Sequence, residues 1–328
     1  VAELALLVPH RGAVEQGLGG SGNVDFLGHA ASRRFDRRGK TGLIGADRIT
    51  EPAGPCAMRK MSSGPRSILS AIATLVALAP AALIAPAQAA ECQRKDALGT
   101  ARVLEVDPAS YPRVGLKSFP QTLPLRDREV VLTFDDGPTP VVTDKVLTAL
   151  AAECVRATFF MVGRNAADHP DMVRKVVRLG HTIGYHTWDH PHLNKLSAEQ
   201  AEANINRGIE AVGMALRGTA STIPATPFFR FPYFESTPEL LNHLEKRGIA
   251  VFGADFWASD WVRMTPEEEL KLLTGRLEAA RKGIILLHDP QMRTAEMLPA
   301  FLRYLQEHNY HVVHIVPAAM KTVSDRTR

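Results

Sequence analysis

Cysteine is nearly absent. Cys56, Cys92 and Cys154 are the only three in 328 residues, and their spacing excludes both a dense disulfide framework and a cysteine-rich zinc module. Charge imbalance is missing as well: 39 Lys and Arg against 35 Asp and Glu leave a net charge of +4. No Lys/Arg run carries interleaved aromatics, so nucleic acid is not an expected partner. From residue 129 onward there is no internal repeat and no low-complexity tract. What remains is an ordinary globular composition, 45% hydrophobic and 23% charged, long enough for one or two domains.

The first 57 residues are rich in Gly, Arg and Ala and show no coherent apolar period. From Met58 the pattern changes to MRKMSSGPRSILSAIATLVALAPAALIAPAQAAE. Arg59, Lys60 and Arg66 precede a stretch from Ile68 to Ala85 with no charge, and Ala87-Gln88-Ala89 has the small-x-small form of a cleavage site. This is the layout of a secretory signal peptide. Residues 1–57 are then a disordered or non-native leader, translation starts at Met58 or Met61, and 58–89 directs export to the periplasm or the exterior. No membrane span is expected after cleavage. An uncleaved anchor is the alternative, because the apolar stretch approaches the ~20 residues a span needs; Pro80 and Pro86 favour cleavage. Export leaves Cys92 and Cys154 where disulfides are permitted. They either pair or serve as a free thiol and a buried apolar residue.

Residues 90–128 hold Pro108, Pro112, Pro120 and Pro124 and read as a loop-like arm or linker. A regular alternation follows over 129–317. Val130–Phe134, Ala157–Gly163, the segment HTIGYHT, part of PFFRFPYF, the segment IAVFGADF, the segment IILLHD and the segment YHVVHIV read as strands. Between them, helical spacing covers Val141–Glu153, the segment HPDMVRKVVRLG, Ser197 to about Leu216, a helix opened by Thr237-Pro238, one from Thr265-Pro266 to Lys282, and Ala295–Glu307. Ser197 is placed to cap its helix, with Glu199 and Gln200 in the first turn. Alternating strand and helix means a mainly parallel sheet. About seven strands in under 200 residues are too few for a full eight-unit barrel of ~250 residues, so a distorted, incomplete (β/α) barrel is expected. Residues 318–328 form a tail.

Polar clusters stand at the ends of these strands, where such barrels carry their function. Asp135 and Asp136 are adjacent at the end of a buried strand, an arrangement that needs a positive partner to offset their repulsion. His186 and His190 are four apart in HTWDHPH; two imidazoles with a carboxylate form a common donor set for a catalytic divalent metal. Three histidines on one surface loop are, taken alone, more often unliganded. Arg230 opens RFPY, Asp260 and Trp261 lie in ASDW, and His288 ends the apolar strand LLHD. Each taken singly fits a packing role as readily as a catalytic one.

Taken together in order, TFDDGP, HTWDH, RFPY, SDW and LLH resemble the five motifs of the carbohydrate esterase family 4 polysaccharide deacetylases, the NodB homology domain, over about 130–316. The resemblance implies metal-dependent hydrolysis of N-acetyl groups on N-acetylglucosamine-containing glycans such as chitooligosaccharides, chitin or peptidoglycan, with a metal-bound water as nucleophile. It implies Asp136, His186 and His190 as ligands, and zinc as the ion, with Co²⁺, Ni²⁺ or Mn²⁺ as substitutes. Asp135 is implied as general base, Arg230 as its orienting partner, the Tyr233 backbone N–H as oxyanion donor, His288 as general acid, Asp260 as the group that tunes it, and Trp261 as its packing neighbour. Strand alternation suggests that Asp136 turns to the metal while Asp135 faces the water and Arg230. The fourth motif departs from its usual Asp-x-x-Asp-Trp form: Trp257 stands three residues before Asp260, and Asp255 is the nearest earlier carboxylate. His192 and Asp189 are extra potential donors. Hydrolysis of cyclic amides or imides is one rival reading, and a non-catalytic glycan-binding envelope protein is another.

Overall fold

A computed structural model describes residues 94–318. The expected leader, signal peptide and most of the C-terminal tail lie outside the described residues, as do Cys56 and Cys92. The chain runs β1 (Thr100–Val106), β2 (Arg113–Val114), β3 (Glu129–Asp135), α1 (Pro140–Ala152), β4 (Thr158–Met161), α2 (Gly163–Asp168), α3 (Pro170–Arg178), β5 (Thr182–Tyr185), α4 (Ala198–Arg217), β6 (Phe228–Phe229), α5 (Pro238–Lys246), β7 (Ala250–Phe252), β8 (Phe256–Trp257), α6 (Pro266–Ala280), β9 (Gly283–His288), α7 (Met292–Glu307) and β10 (His311–Pro317).

All pairings among the described strands are parallel. Hydrogen-bonded neighbours run β9–β3–β4–β5–β6–β7. From β7 the chain continues through residues 253–255 into β8, which pairs back onto β9. One bent segment therefore closes the ring. The expected irregular barrel is present. The single strand read into IAVFGADF is two, because the chain must leave β6 and reach β9 within a few residues.

Period-2 alternation sorts β3 between two cores. Val130, Leu132 and Phe134 join the large apolar cluster shared with the helices, whereas Val131 joins Phe160, Phe228, Phe252 and Ile284 inside the barrel. Thr133 and Asp135 fall on that interior face. Val106, Val313 and Ile315 from β1 and β10 complete the inner cluster. They floor the barrel at the amino ends of its strands, where β10 pairs with Glu129 and Val130. The opposite, carboxyl ends stay open.

The stretch 90–128 was expected to be an arm or linker, and its described part is instead integral. β1 pairs with β10 along its length, β2 pairs with β7, and Leu123 and Leu125 are buried. The prolines cut it into pieces too short to show a period. In β1, moreover, Val103 is exposed while Arg102 points inward to a bidentate pair with buried Glu129 at 2.7 Å, which inverts the usual apolar-in pattern. Two helix starts match their sequence signals in full: Ser197 with Gln200, and Thr265 with Glu268, form reciprocal capping boxes. Helix α2 was not expected; the strand read through Gly163 stops at Met161. Cys154 is disulfide-bonded, and its partner lies outside the described residues.

Candidate active site

The open end of the barrel gathers the polar residues that follow β3, β5, β6, β8 and β9. They line a cavity of about 470 Å³ whose wall includes Asp135, Asp136, His186, His190, Tyr233, Trp257, Trp261 and His288.

At its base, Arg230 is fully buried inside the barrel. Its Nη1 donates to Asp135 Oδ1 at 2.7 Å and to Thr133 Oγ1 at 2.9 Å, Nη2 donates to the Gly253 carbonyl at 2.8 Å, and Nε to that of Phe252 at 3.2 Å. The guanidinium also lies 4.3 Å from the Phe160 ring centre. Burial pushes its pKa down, opposed by the charge and hydrogen bond of Asp135. The carbonyls come from the β7–β8 bend, so the segment that closes the barrel also fixes the arginine that meets Asp135.

Asp136 departs from the alternation expected of it. Its φ is +73°, a left-handed conformation that turns its carboxylate back over the barrel mouth instead of out among the helices. Both adjacent carboxylates therefore face one imidazole: His186 Nε2 is 3.7 Å from Asp135 Oδ2 and 3.4 Å from Asp136 Oδ1. His190 Nε2 is 3.3 Å from the same Asp136 oxygen. His186 and His190 sit on a compact turn rather than a helix, with positive φ at Thr187 and His190. Burial works against the Asp136 charge, but the histidines that face it, His186 foremost, prevail and hold its carboxyl below the usual carboxylate range.

The donor atoms of Asp136, His186 and His190 lie within 4.8 Å of one another. Asp136 Oδ1 is buried without a hydrogen-bond partner. His186 Nδ1–H donates to the Arg230 carbonyl at 2.8 Å, which fixes the tautomer and leaves the Nε2 lone pair facing the carboxylate. An orphaned carboxylate oxygen and an oriented imidazole are what a divalent cation needs, so the residues present fit such an ion. His192 and Asp189 stand apart from this set: His192 Nδ1 pairs with Glu235 at 2.8 Å, and Asp189 Oδ1 accepts from Asn204 at 2.8 Å.

Across the cavity, His288 Nδ1–H donates to Asp260 Oδ1 at 2.7 Å, and the His288 backbone N–H donates to Asp260 Oδ2, also at 2.7 Å. Burial alone pushes this imidazole down; the bond to Asp260 and the charges of Asp260, Asp135 and Asp136 raise it to about 9. The Trp261 ring meets the imidazole edge-on, 5.7 Å between centres. Tyr233, with φ +56°, stands half-exposed on the opposite rim. Trp257 packs between Phe234 and Trp261 at about 6 Å and forms wall. Asp255 is turned away, accepting from Leu116 N, Thr122 Oγ1 and Ile284 N.

The structure adds residues that motif spacing did not single out. Asp289, the last letter of LLHD, is buried; burial and the charges of Asp136 and Asp135 push its carboxyl up to about 7. It accepts from Thr143 Oγ1 at 2.6 Å and presses on Gly137, where a Cβ would lie 2.2 Å from its oxygens. Gly137 is therefore required by close approach. Thr294 Oγ1 lies 2.8 Å from Asp260 Oδ2 and 3.1 Å from buried Glu269 Oε1. Burial and Asp260 push the Glu269 carboxyl up to about 7, against the pull of Thr294 and of Arg293, whose Nε lies 3.5 Å from Oε2. Of these, only Asp289 lies inside a motif stretch, as the last letter of LLHD.

The family profile described as Polysaccharide deacetylase matches residues 123–252. Chitooligosaccharide deacetylase of Rhizobium leguminosarum bv. trifolii is 34% identical over 164 residues, 50% of this chain and 72% of that protein. The chain belongs to the polysaccharide deacetylase family. Chitin deacetylase 1 of Saccharomyces cerevisiae is 35% identical over 170 residues, 50% of this chain and 53% of its own length. Thus the chain spans only about half of that polysaccharide deacetylase. A solved peptidoglycan deacetylase of Bdellovibrio bacteriovorus superposes with a TM-score of 0.60 at 30% identity, covering 69% of this chain and 62% of the other. The profile match includes Asp135, Asp136, His186, His190, Arg230 and Tyr233, and ends before Asp260 and His288.

Proposed function

We propose that this chain removes N-acetyl groups from N-acetylglucosamine-containing glycans, with a divalent metal, zinc by preference, and that it works outside the cytoplasm after export by its signal segment. The observation that carries this reading is the meeting, at one barrel mouth, of the Asp136–His186–His190 donor set, the Arg230-held Asp135 and the Asp260-held His288. Relatives that act on chitin, chitooligosaccharide and peptidoglycan support the substrate class.

When bound by Asp136, His186 and His190, the ion supplies Lewis acidity that polarises the amide carbonyl and makes water nucleophilic near neutral pH. Two imidazoles and one carboxylate suit zinc and also admit Co²⁺, Ni²⁺ or Mn²⁺. Asp135 accepts the proton of the attacking water; the hydrogen bond from Arg230 Nη1 fixes its carboxylate. The Tyr233 backbone N–H donates to the developing oxyanion. His288, protonated at neutral pH because its pKa is about 9, gives its proton to the leaving amine as the C–N bond breaks. Acetate and a free amino sugar result.

The test is acetate release by the purified chain from chitooligosaccharides, chitin and peptidoglycan strands, with zinc or cobalt supplied. Chelation stops release and metal restores it. No acetate from any of the three overturns the reading.

A further inference from the structure

A second cavity, of about 390 Å³, adjoins the first and shares Trp257 with it; its other walls are Lys117, Asp255, Phe256, Arg276, Ala279 and Ala280. We propose that this cavity binds the sugar next to the reacting N-acetylglucosamine, and that it selects a sugar bearing a carboxylate over a neutral one. The inference rests on the deacetylase reading of the first cavity and names the substrate class within it.

Continuity is the first argument. Trp257 presents its ring beside Phe234 and Trp261 on one side, while Lys117 Nζ lies 5.6 Å from the ring centre. A glycan strand whose acetamido group enters the metal-site cavity must pass Trp257 to continue in this direction. The volume lies at the small end of the range for ligand pockets, suited to one ring rather than several.

Charge is the second argument. Two cations line the cavity, and neither forms an ion pair with any described carboxylate. Among the described residues, the Lys117 side chain meets only the indole. Arg276 uses Nη1 on the Trp257 carbonyl and Ser259 Oγ, both at 2.7 Å, and burial alone pushes its pKa down. The one acidic wall residue, Asp255, has both oxygens occupied by Leu116 N, Thr122 Oγ1 and Ile284 N, so the charge left to meet a ligand is positive.

Placement is the third argument. The Lys117 backbone N–H donates to the Ala254 carbonyl at 2.9 Å, which ties the lysine to the bend that also holds Arg230. Its main chain is thus fixed relative to the reacting site, which keeps the reach of the ammonium beside Trp257.

Affinity is measured calorimetrically on the metal-loaded Asp135→Asn protein, whose turnover is lowered by about 10²–10⁴-fold. The probes are a glycan strand of alternating N-acetylglucosamine and N-acetylmuramic acid freed of peptide, and a chitooligosaccharide of equal length. At low salt the carboxylate strand binds tighter, Lys117→Ala reduces that preference by about fivefold, and high salt reduces it likewise. Lys145→Ala, an exposed lysine on α1 outside both cavities, controls for overall charge and retains the preference. Equal affinity for the two probes overturns the proposal, as does a preference that survives Lys117→Ala or falls equally in Lys145→Ala. Acetate release by the unsubstituted protein is scored separately. Its absence overturns the catalytic reading, whereas the binding preference stands or falls on the calorimetry alone.

Discussion

Asp135 and Asp136 are tolerated side by side because each has a different offset. Asp135 is held by a buried guanidinium, and Asp136 is aimed by a left-handed backbone turn at two imidazoles. Removing the charge of the first without changing its shape separates these functions. Asp135→Asn is expected to lower turnover by about 10²–10⁴-fold while metal content stays near one ion per chain. Because Arg230 then lacks its partner in the barrel interior, the melting temperature falls too, by an amount matching about 3 kcal/mol. Acetate assays below the new melting point, with metal analysis, check both parts; full activity with normal metal content sinks the assignment. A second residue-scale expectation concerns His288. Its pKa of about 9 depends on Asp260 once burial has been overcome. Asp260→Asn should therefore move the alkaline limb of kcat toward lower pH, since the imidazole loses its proton sooner. A limb that stays in place while kcat drops means that Asp260 only orients the ring.

The elements that position these residues depend on one crossing of backbones. The loop after β2 packs on the β7–β8 bend so closely that a Cβ on Gly115 would lie 2.5 Å from the Gly253 carbonyl carbon, and Gly115 has φ +112°. Gly115→Ala is expected to force the loop off the bend, displace the Phe252 and Gly253 carbonyls from Arg230, and cost about 3 kcal/mol. Chemical denaturation reads the stability, and acetate release reads the site; a variant with unchanged midpoint and rate contradicts the coupling. Sequence showed one side of this crossing and hid the other. The motif residues were legible because polar groups ending apolar strands stand out against their surroundings, as His288 does after Ile284–Leu287. β1 and β2 were not, because prolines divide them and Arg102 occupies an inward position. The turn at Asp136 was illegible for another reason: a positive φ at an aspartate leaves no periodic trace. Asp289, Thr294 and Glu269 act through contacts across more than twenty residues of chain, which spacing within a motif cannot show.

At the scale of the whole molecule, the barrel has a mouth that carries the candidate site and a floor with its own electrostatics. On the floor, His314 Nε2 lies 2.9 Å from Thr182 Oγ1, whose hydroxyl donates to the Ile315 carbonyl at 2.8 Å, so the imidazole is the donor to Thr182. Nearby, His181 Nδ1 accepts from Ala157 N–H at 3.1 Å. Burial, with Arg156 adding to it, pushes the His314 pKa down to about 4; burial, His314 and Arg156 push His181 down to about 3. Both rings are neutral in the folded chain near pH 7. Each has a folded pKa below its unfolded value of ~6.5, so the stability it contributes is fully present above that value and is lost as pH falls toward the folded pKa. Between pH 6.5 and 4 the unfolded chain binds a proton at His314 that the folded chain refuses. His314→Gln, which keeps a donor near Thr182 and cannot titrate, is expected to make the fall in stability over that window shallower by up to about 1.4 kcal/mol per pH unit. Urea titrations at pH 4, 5, 6 and 7 on both proteins measure the difference. Parallel curves refute a neutral buried His314. Because this histidine lies at the end of the barrel away from Asp135 and His288, the substitution should change the acid stability curve while leaving the pH profile of kcat in place, which separates failure of the floor from titration of the mouth.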